Sequence, residues 1–304
     1  MQGEAIVFSR QMMTVIIEHV RLASRIIKES SGLSYNEFTL LYLLLDSSEP
    51  LSAETLADFL MIRKETASDL LLCMEDKHLI VKTPDDGDRR VMRCVLSRTG
   101  RSLTARSYAE VESALSEAFL YSMDDARRRL LSWNEMFRTC NFLRPHPLSL
   151  TPGPASSERL FGPDYFVYWK AMVDLWSREA HESGGLSLAE YRVLDLLDEL
   201  TRANPAEIAE RLLLTRSAVS QAKSKLSQRE LLSTAPDPFD GRSTILKISR
   251  SGAKLSGVLR KAMAAVAQTG HTGLSDDDIM MLNAWYMRMY AAYRSSRALP
   301  HRHC

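Results

Sequence analysis

The sequence predicts a mainly α-helical fold with small β-wings, duplicated in tandem, and three observations predict it. Apolar residues recur at helical spacing through most of the 304 residues. A pattern of helix, tight turn, helix and charged hairpin spans residues 204–252. The same pattern occurs at residues 52–100, displaced by 152. Self-similarity at a fixed offset takes priority over any local assignment, because each copy must be one structural unit.

The second copy is the clearer of the two. Asn204 is placed to cap a helix, Pro205 fits its first position, and Glu207 sits where a capping box wants its acid. Ile208, Ala209, Leu212 and Leu213 then form one apolar stripe. Leu214 and Thr215 break the run, and Thr215 can cap the helix that follows, Arg216 to about Gln228. That helix has few apolar residues (Ala218, Val219, Ala222, Leu226), and its other faces carry Ser217, Ser220, Gln221, Lys223, Ser224 and Lys225. Short hydroxyls, an amide and cations suit the base edges and phosphates of double-stranded DNA. Strands are expected at 231–234 and 244–248, around a turn at 237–242. This is the order of a winged helix-turn-helix.

The first copy matches residue by residue. Leu56-Ala57 lies on Ile208-Ala209 and Leu79-Ile80 on Leu231-Leu232. Asp85, Asp88 and Arg90 lie on Asp237, Asp240 and Arg242, and Ser97-Arg98-Thr99-Gly100 on Ser249-Arg250-Ser251-Gly252. Upstream, Leu33-Ser34-x-x-Glu37-Phe38 parallels Leu186-Ser187-x-x-Glu190-Tyr191 at an offset of 153, each a capping box with a hydrophobic staple. The one-residue change falls near Ser47–Pro50, a loop that tolerates insertion.

The rest of the chain flanks these copies. Helices are expected over 8–30, 101–121, from the Ser122 cap to about Leu143, over 164–183, over 253–269, and from the Leu274-Ser275-x-x-Asp278 cap to about Arg297. Prolines crowd the stretch between Arg144 and Gly162, which excludes regular structure and marks a linker. The domains are therefore a first repeat at 1–143, a linker at 144–162 and a second repeat at 163–304. Charged residues at 25% and a net charge of +1 are ordinary globular values. No apolar run approaches the ~20 residues of a membrane span. The N-terminus lacks a secretory pattern, and four unpaired-looking cysteines suit a reduced, cytoplasmic protein.

This arrangement resembles the MarR family of bacterial transcription regulators, present here twice. The most specific residues are Asp88-Arg89-Arg90 with Leu96-Ser97-x-x-Gly100, and Asp240-Gly241-Arg242 with Ile248-Ser249-x-x-Gly252. Members of that family are usually homodimers with intertwined terminal helices on a palindromic operator. The resemblance implies that long terminal helices join the two repeats as an intrachain pseudo-dimer. It implies that Arg90 and Arg242 enter the minor groove, where narrow A·T tracts concentrate negative potential. In each wing the aspartate two residues earlier, Asp88 or Asp240, is near enough in sequence to pair with that arginine and aim its guanidinium. It also implies a small phenolic or amphipathic effector, for which Tyr35, Tyr42, Tyr165, Tyr168, Trp169 and Trp176 are candidate lining residues. An aromatic stripe more often means packing between helices.

The DNA-facing candidates are Arg63, Lys64, Thr66, Ser68, Asp69, Arg89 and Arg90 in the first repeat. In the second they are Thr215, Arg216, Ser217, Ser220, Gln221, Lys223, Lys225, Arg242 and Ser243. The repeats differ in charge. Residues 213–250 hold seven cations and three acids, a net +4, while residues 61–98 hold eight and seven, a net +1. Glu65 and Asp69 stand where the second repeat has Ser217 and Gln221. Asp69 is either a reader of cytosine N4 or a sign that the first repeat binds DNA weakly. Cys73 and Cys94 are read as small apolar residues rather than redox sensors, and the terminal His301-Arg302-His303-Cys304 as a tail rather than a metal site. Nothing suggests an enzyme, a metal or a cofactor. The expected function is a DNA-binding transcription regulator, a repressor relieved by a small molecule. The alternative is a protein-interaction module that pairs with a related regulator.

Overall fold

The computed structural model describes residues 8–120, 159–237, 244–271 and 274–298, the side chains of 118–120 and 296–298 excepted. In the first repeat α1 (Arg10–Ser31) and α2 (Tyr35–Asp46) precede β1 (Leu51–Ser52), α3 (Ala53–Leu60) and α4 (Lys64–Asp76). The wing strands β2 (Ile80–Pro84) and β3 (Met92–Leu96) and then α5 (Arg98–Leu120) follow. The second repeat runs α6 (Pro163–Gly184), α7 (Leu188–Leu200), β4 (Arg202–Ala203), α8 (Pro205–Leu212) and α9 (Arg216–Gln228). It continues through β5 (Leu232–Pro236), β6 (Thr244–Ile248), α10 (Arg250–Gly270) and α11 (Asp276–Ala298). The helix expected from Ser122 to Leu143 and most of the linker lie outside the described residues.

The helix starts follow their caps. The Ser34 hydroxyl accepts from the Glu37 N–H at 3.3 Å while the Glu37 carboxylate accepts from the Ser34 N–H at 2.6 Å. Ser187 and Glu190 repeat this at 3.3 and 3.0 Å. Such reciprocal bonds satisfy two N–H groups the helix itself leaves open. Asn204 caps α8 by accepting from the Glu207 N–H at 2.8 Å, but the expected return bond is absent. The Glu207 carboxylate instead accepts from the Arg211 guanidinium at 2.9 Å, a charged donor one turn away.

The wings have three strands where the sequence pattern indicated two. Leu51–Ser52 pairs antiparallel with β3, and Arg202–Ala203 with β6, so the strand orders are β1-β3-β2 and β4-β6-β5. The Ser-x-x-Gly signature closes each wing onto the next helix. The Ser97 hydroxyl donates to the His78 carbonyl at 2.7 Å and accepts from the Gly100 N–H at 2.9 Å. Ser249 makes the same pair of bonds, to the Glu230 carbonyl at 2.8 Å and from the Gly252 N–H at 3.0 Å. A Cβ at Gly100 would stand 1.9 Å from the Leu79 carbonyl oxygen, and one at Gly252 would stand 2.1 Å from that of Leu231. Only glycine fits there.

Contacts group the chain into two compact units, residues 19–171 and residues 1–18 with 172–304. These units cut across the sequence repeats. The first half of α1 belongs with the second winged helix, and the first half of α6 with the first. In the unit of 19–171, Phe38, Tyr42, Leu56, Met74, Phe161 and Phe166 are buried. In the other, Trp176, Tyr191, Ile208, Val219, Leu246 and Trp285 are buried.

Candidate nucleic-acid interface

Each recognition helix is set by the turn before it. The helices α3 and α8 end on left-handed residues, Met61 at φ 56° and Leu213 at φ 53°. Residues 63 and 215 then return to extended backbone and begin α4 and α9, both 13 residues long. Thr215 caps α9, its hydroxyl accepting from the Ala218 N–H at 3.1 Å, whereas Arg63 gives α4 no side-chain cap. The buried stripes share their ends and differ by one place in the middle: Ala67, Leu71 and Met74 in α4, and Val219, Ala222 and Leu226 in α9.

The opposite faces are open. Thr215, Arg216, Ser217, Ser220, Gln221 and Lys225 are exposed, and Lys223 is half-buried. Arg63, Lys64, Thr66, Ser68 and Asp69 are exposed on the first helix, together with Glu65 and Leu72. The structure therefore brings each helix's candidates onto one surface. Several cations already hold carboxylates: Lys64 pairs with Glu54, and Lys225 with Glu190 at 3.2 Å. Among the described residues Arg63, Arg216 and Lys223 enter no ion pair and are available to phosphates.

The acid of each capping box has a second role that periodicity did not reveal. Glu37 accepts from Lys77 at 2.7 Å and from the Cys73 thiol at 3.5 Å, tying α2 to α4. Burial pushes the Glu37 carboxyl up, but Lys77 and the Ser34 bonds outweigh it and bring it down to about 2. Glu190 likewise holds Lys225 of α9, at the position that matches Cys73. A second tie is buried: Arg192 of α7 donates to Thr14 of α1 at 3.1 Å and to the Leu212 carbonyl at the end of α8.

The first wing corrects one sequence expectation. Arg89 and Arg90 are exposed at its tip. The Asp88 carboxylate accepts from the backbone N–H of Arg90 at 3.0 Å, so it shapes the tip's backbone instead of steering the guanidinium. The acid that binds a guanidinium is Asp85, paired with Arg93 across the hairpin. Asp85 also accepts from the N–H groups of Gly87 and Asp88, at 2.9 and 3.1 Å. Asp240, Arg242 and Ser243 lie outside the described residues.

The six aromatic candidates are all buried. The Tyr35 hydroxyl donates to the Phe166 carbonyl at 3.0 Å and that of Tyr42 to the Phe161 carbonyl at 2.7 Å. Tyr165 is hydrogen-bonded to His19, and Tyr168 and Trp169 pack edge to face with centroids 5.5 Å apart. Trp176 lies in the other unit, where its indole N–H donates to the Met263 carbonyl at 3.2 Å. The six thus serve two interiors, and their polar ends are largely spent on internal bonds. Cys73 is half-buried and Cys94 buried, both as free thiols, with burial raising the Cys94 pKa. Cys140 and Cys304 lie outside the described residues. No described group of His, Cys, Asp or Glu is placed to hold a metal, and no described helix is long and apolar enough to cross a membrane.

Two winged helix-turn-helix domains, each presenting an open recognition helix, define a DNA-binding transcription regulator. Models of the MarR family match residues 33–92 and 184–243, so the chain is a tandem fusion of two MarR-type domains. A curated relative, the "HTH-type transcriptional repressor IacR" of Pseudomonas putida, is 26% identical over 134 residues, covering 43% of this chain and 80% of its own. The "uncharacterized HTH-type transcriptional regulator YxaD" of Bacillus subtilis is 34% identical over 73 residues, 24% of this chain and 51% of the relative. A MarR family transcriptional regulator from Streptomyces coelicolor, solved in complex with DNA, is 20% identical with a TM-score of 0.41, covering 49% of this chain and 91% of that one.

Proposed function

We propose that this protein is a cytoplasmic transcriptional repressor that binds operator DNA as a single-chain pseudo-dimer, its affinity lowered by a small aromatic or amphipathic effector. One observation carries the DNA reading. The exposed face of α9 groups hydroxyls, an amide and cations (Ser217, Ser220, Gln221, Arg216, Lys225) over a buried apolar stripe on a capped helix. That combination positions on phosphates and reads base edges. The pseudo-dimer reading is supported by the units, since each winged helix takes the start of the other repeat's leading helix. The effector reading rests on the family resemblance and on the aromatic interior around Tyr165 and Trp169.

The test is selection of genomic fragments by the purified full chain, followed by affinity against salt. A short shared motif, bound with an affinity that falls steeply with salt, is the expected result. Fragments recovered at random, with no shared motif, would overturn sequence-specific binding. A second reading has its own observation: the exposed face of α4 carries Glu65, Asp69 and an exposed Leu72, which suits a protein partner better than a phosphate backbone. On that reading the chain is an interaction module that pairs with a related regulator.

A further inference from the structure

Position for position, the two recognition helices carry different readers on the same frame. Asp69 is the sixth residue of α4 and Gln221 the sixth of α9. Both helices start after a left-handed residue and an extended N-cap, and both bury their fourth and eleventh residues, Ala67 and Met74 in one and Val219 and Leu226 in the other. Both side chains are exposed, and among the described residues neither enters a hydrogen bond or ion pair. Three residues on, Leu72 and Ser224 also correspond, and Leu72 is 54% exposed.

The chemistry of these pairs differs in a way that DNA can register. A carboxylate only accepts hydrogen bonds, so in the major groove it suits the cytosine N4 amine and is repelled by guanine O6 and N7 or thymine O4. A primary amide both donates and accepts, which matches adenine N6 and N7. An exposed leucine offers a surface for a thymine methyl, and serine bonds either purine or pyrimidine edges. Because Glu65 and Asp69 also repel phosphates, the first repeat binds well only where base donors compensate.

We infer that Asp69 and Gln221 are a specificity-determining pair: the half-site read by the first repeat carries cytosine where the half-site read by the second carries adenine. The operator is then a palindrome broken at that position. This rests on the DNA-binding reading above and deepens it.

Selection from a random double-stranded library with the full chain, then with D69Q and the reciprocal Q221D, tests the pair. The parent should select cytosine in one half-site and adenine at the matching position of the other. D69Q should restore a symmetric site with adenine in both. Each variant should lose about 5- to 140-fold against the parent's site, the equivalent of ~1–3 kcal/mol at ~1.4 kcal/mol per decade. A symmetric parent site, or D69Q selecting the parent's bases while melting at the parent's temperature, would overturn the assignment and leave DNA binding intact. Enrichment of a single half-site with D69Q neutral would overturn it too, and would favour the protein-partner reading of α4. No enriched sequence at all would overturn the DNA reading and this inference together.

Discussion

Tyr42 stacks on Tyr108 with ring centroids 4.7 Å apart and planes at 23°. The corresponding residues of the second repeat, Asp195 and Arg260, form an ion pair at 2.7 Å. The same junction, between the second helix and the helix that follows the wing, is thus held by aromatic contact in one repeat and by charge in the other. An arginine from elsewhere in each unit completes both. Arg159 reaches Asp46 at 2.7 Å and lies over both tyrosine rings, at 5.4 and 5.7 Å. Arg10 reaches Asp195 at 2.7 Å and Glu199 at 2.6 Å.

The two junctions should therefore fail differently. Asp195→Asn leaves Arg10 and Arg260 facing a neutral amide inside a mostly buried site, which costs about 3 kcal/mol. Tyr42→Phe keeps the stack and loses the hydroxyl's bond to the Phe161 carbonyl and its interaction with the Tyr108 hydroxyl, costing about 1 kcal/mol. Raising salt should narrow the first difference only slightly, because Asp195 is buried. Urea unfolding at two salt concentrations decides this, and equal losses from both variants would contradict it.

Gly252→Ala should destabilise the second winged helix by roughly 3 kcal/mol or more, because the added methyl meets the Leu231 carbonyl at 2.1 Å, and backbone cannot swing away as a side chain can. Gly257→Ala is the control, since nothing lies within 4 Å of its Cβ position and it sits inside α10. That change should be stabilising by up to about 1 kcal/mol. Thermal unfolding of the two variants should move in opposite directions.

Much of this architecture was legible because its signals are local. The capping boxes at Ser34 and Ser187, the cap at Thr215 and the Ser-x-x-Gly closures lie within four residues of their partners. What stayed hidden needed the third dimension. A two-residue strand such as Leu51–Ser52 has no period to detect, and its partner β3 begins about forty residues later. The Arg192–Thr14 bond spans 178 residues, so composition gives no hint of it. Asp88 and Arg90 suggested an ion pair by proximity, yet the closer backbone N–H took the carboxylate, while Arg93, eight residues beyond Asp85, faced Asp85 across the hairpin. The acids on α4 were readable as a charge anomaly, and the offset of 152 already set Asp69 against Gln221, but the exposure of both side chains needed the structure.

Acidification should destabilise the protein through its buried histidines. His271 is buried, its Nδ1–H donating to the Ala267 carbonyl at 2.7 Å with Tyr286 3.3 Å from its other nitrogen, and burial lowers its pKa to about 4. The unfolded chain takes up that proton near pH 6.5, the folded chain only near 4, so stability falls as pH drops through that window. The span amounts to ~3 kcal/mol at most. Buried His19 shifts in the same direction. Melting temperatures measured from pH 7 to 4 should fall less steeply for His271→Gln than for the parent, and parallel curves would show that His271 carries none of the effect.

The repeats should contribute unequally to phosphate attraction. Lys223 and Lys225 lie on α9 beside Ser220, Gln221 and Ser224, with no acid on the open face of that helix. Arg63 and Lys64 begin α4 beside Glu65 and Asp69, both exposed. Each pair contains one lysine already bound to an acid, Lys225 by Glu190 and Lys64 by Glu54, so the comparison is between like pairs. Their neighbours make the difference. Carboxylates near the helix surface offset the counterion release that drives backbone binding, whereas hydroxyls and amides add bonds of their own. Lys223→Ala with Lys225→Ala should therefore reduce operator affinity more than Arg63→Ala with Lys64→Ala. It should also flatten the plot of log affinity against log salt by about one to two units, roughly 0.9 for each phosphate no longer neutralised. Arg90→Ala in the described wing should add its own loss of about 1–3 kcal/mol if its guanidinium reads the groove, with intact folding as the control. Titrations of the parent and both double variants at three salt concentrations measure slope and affinity together. Equal losses and equal slopes from the two pairs would show that the first repeat engages the backbone as strongly as the second, and that the acids of α4 lie clear of the phosphates.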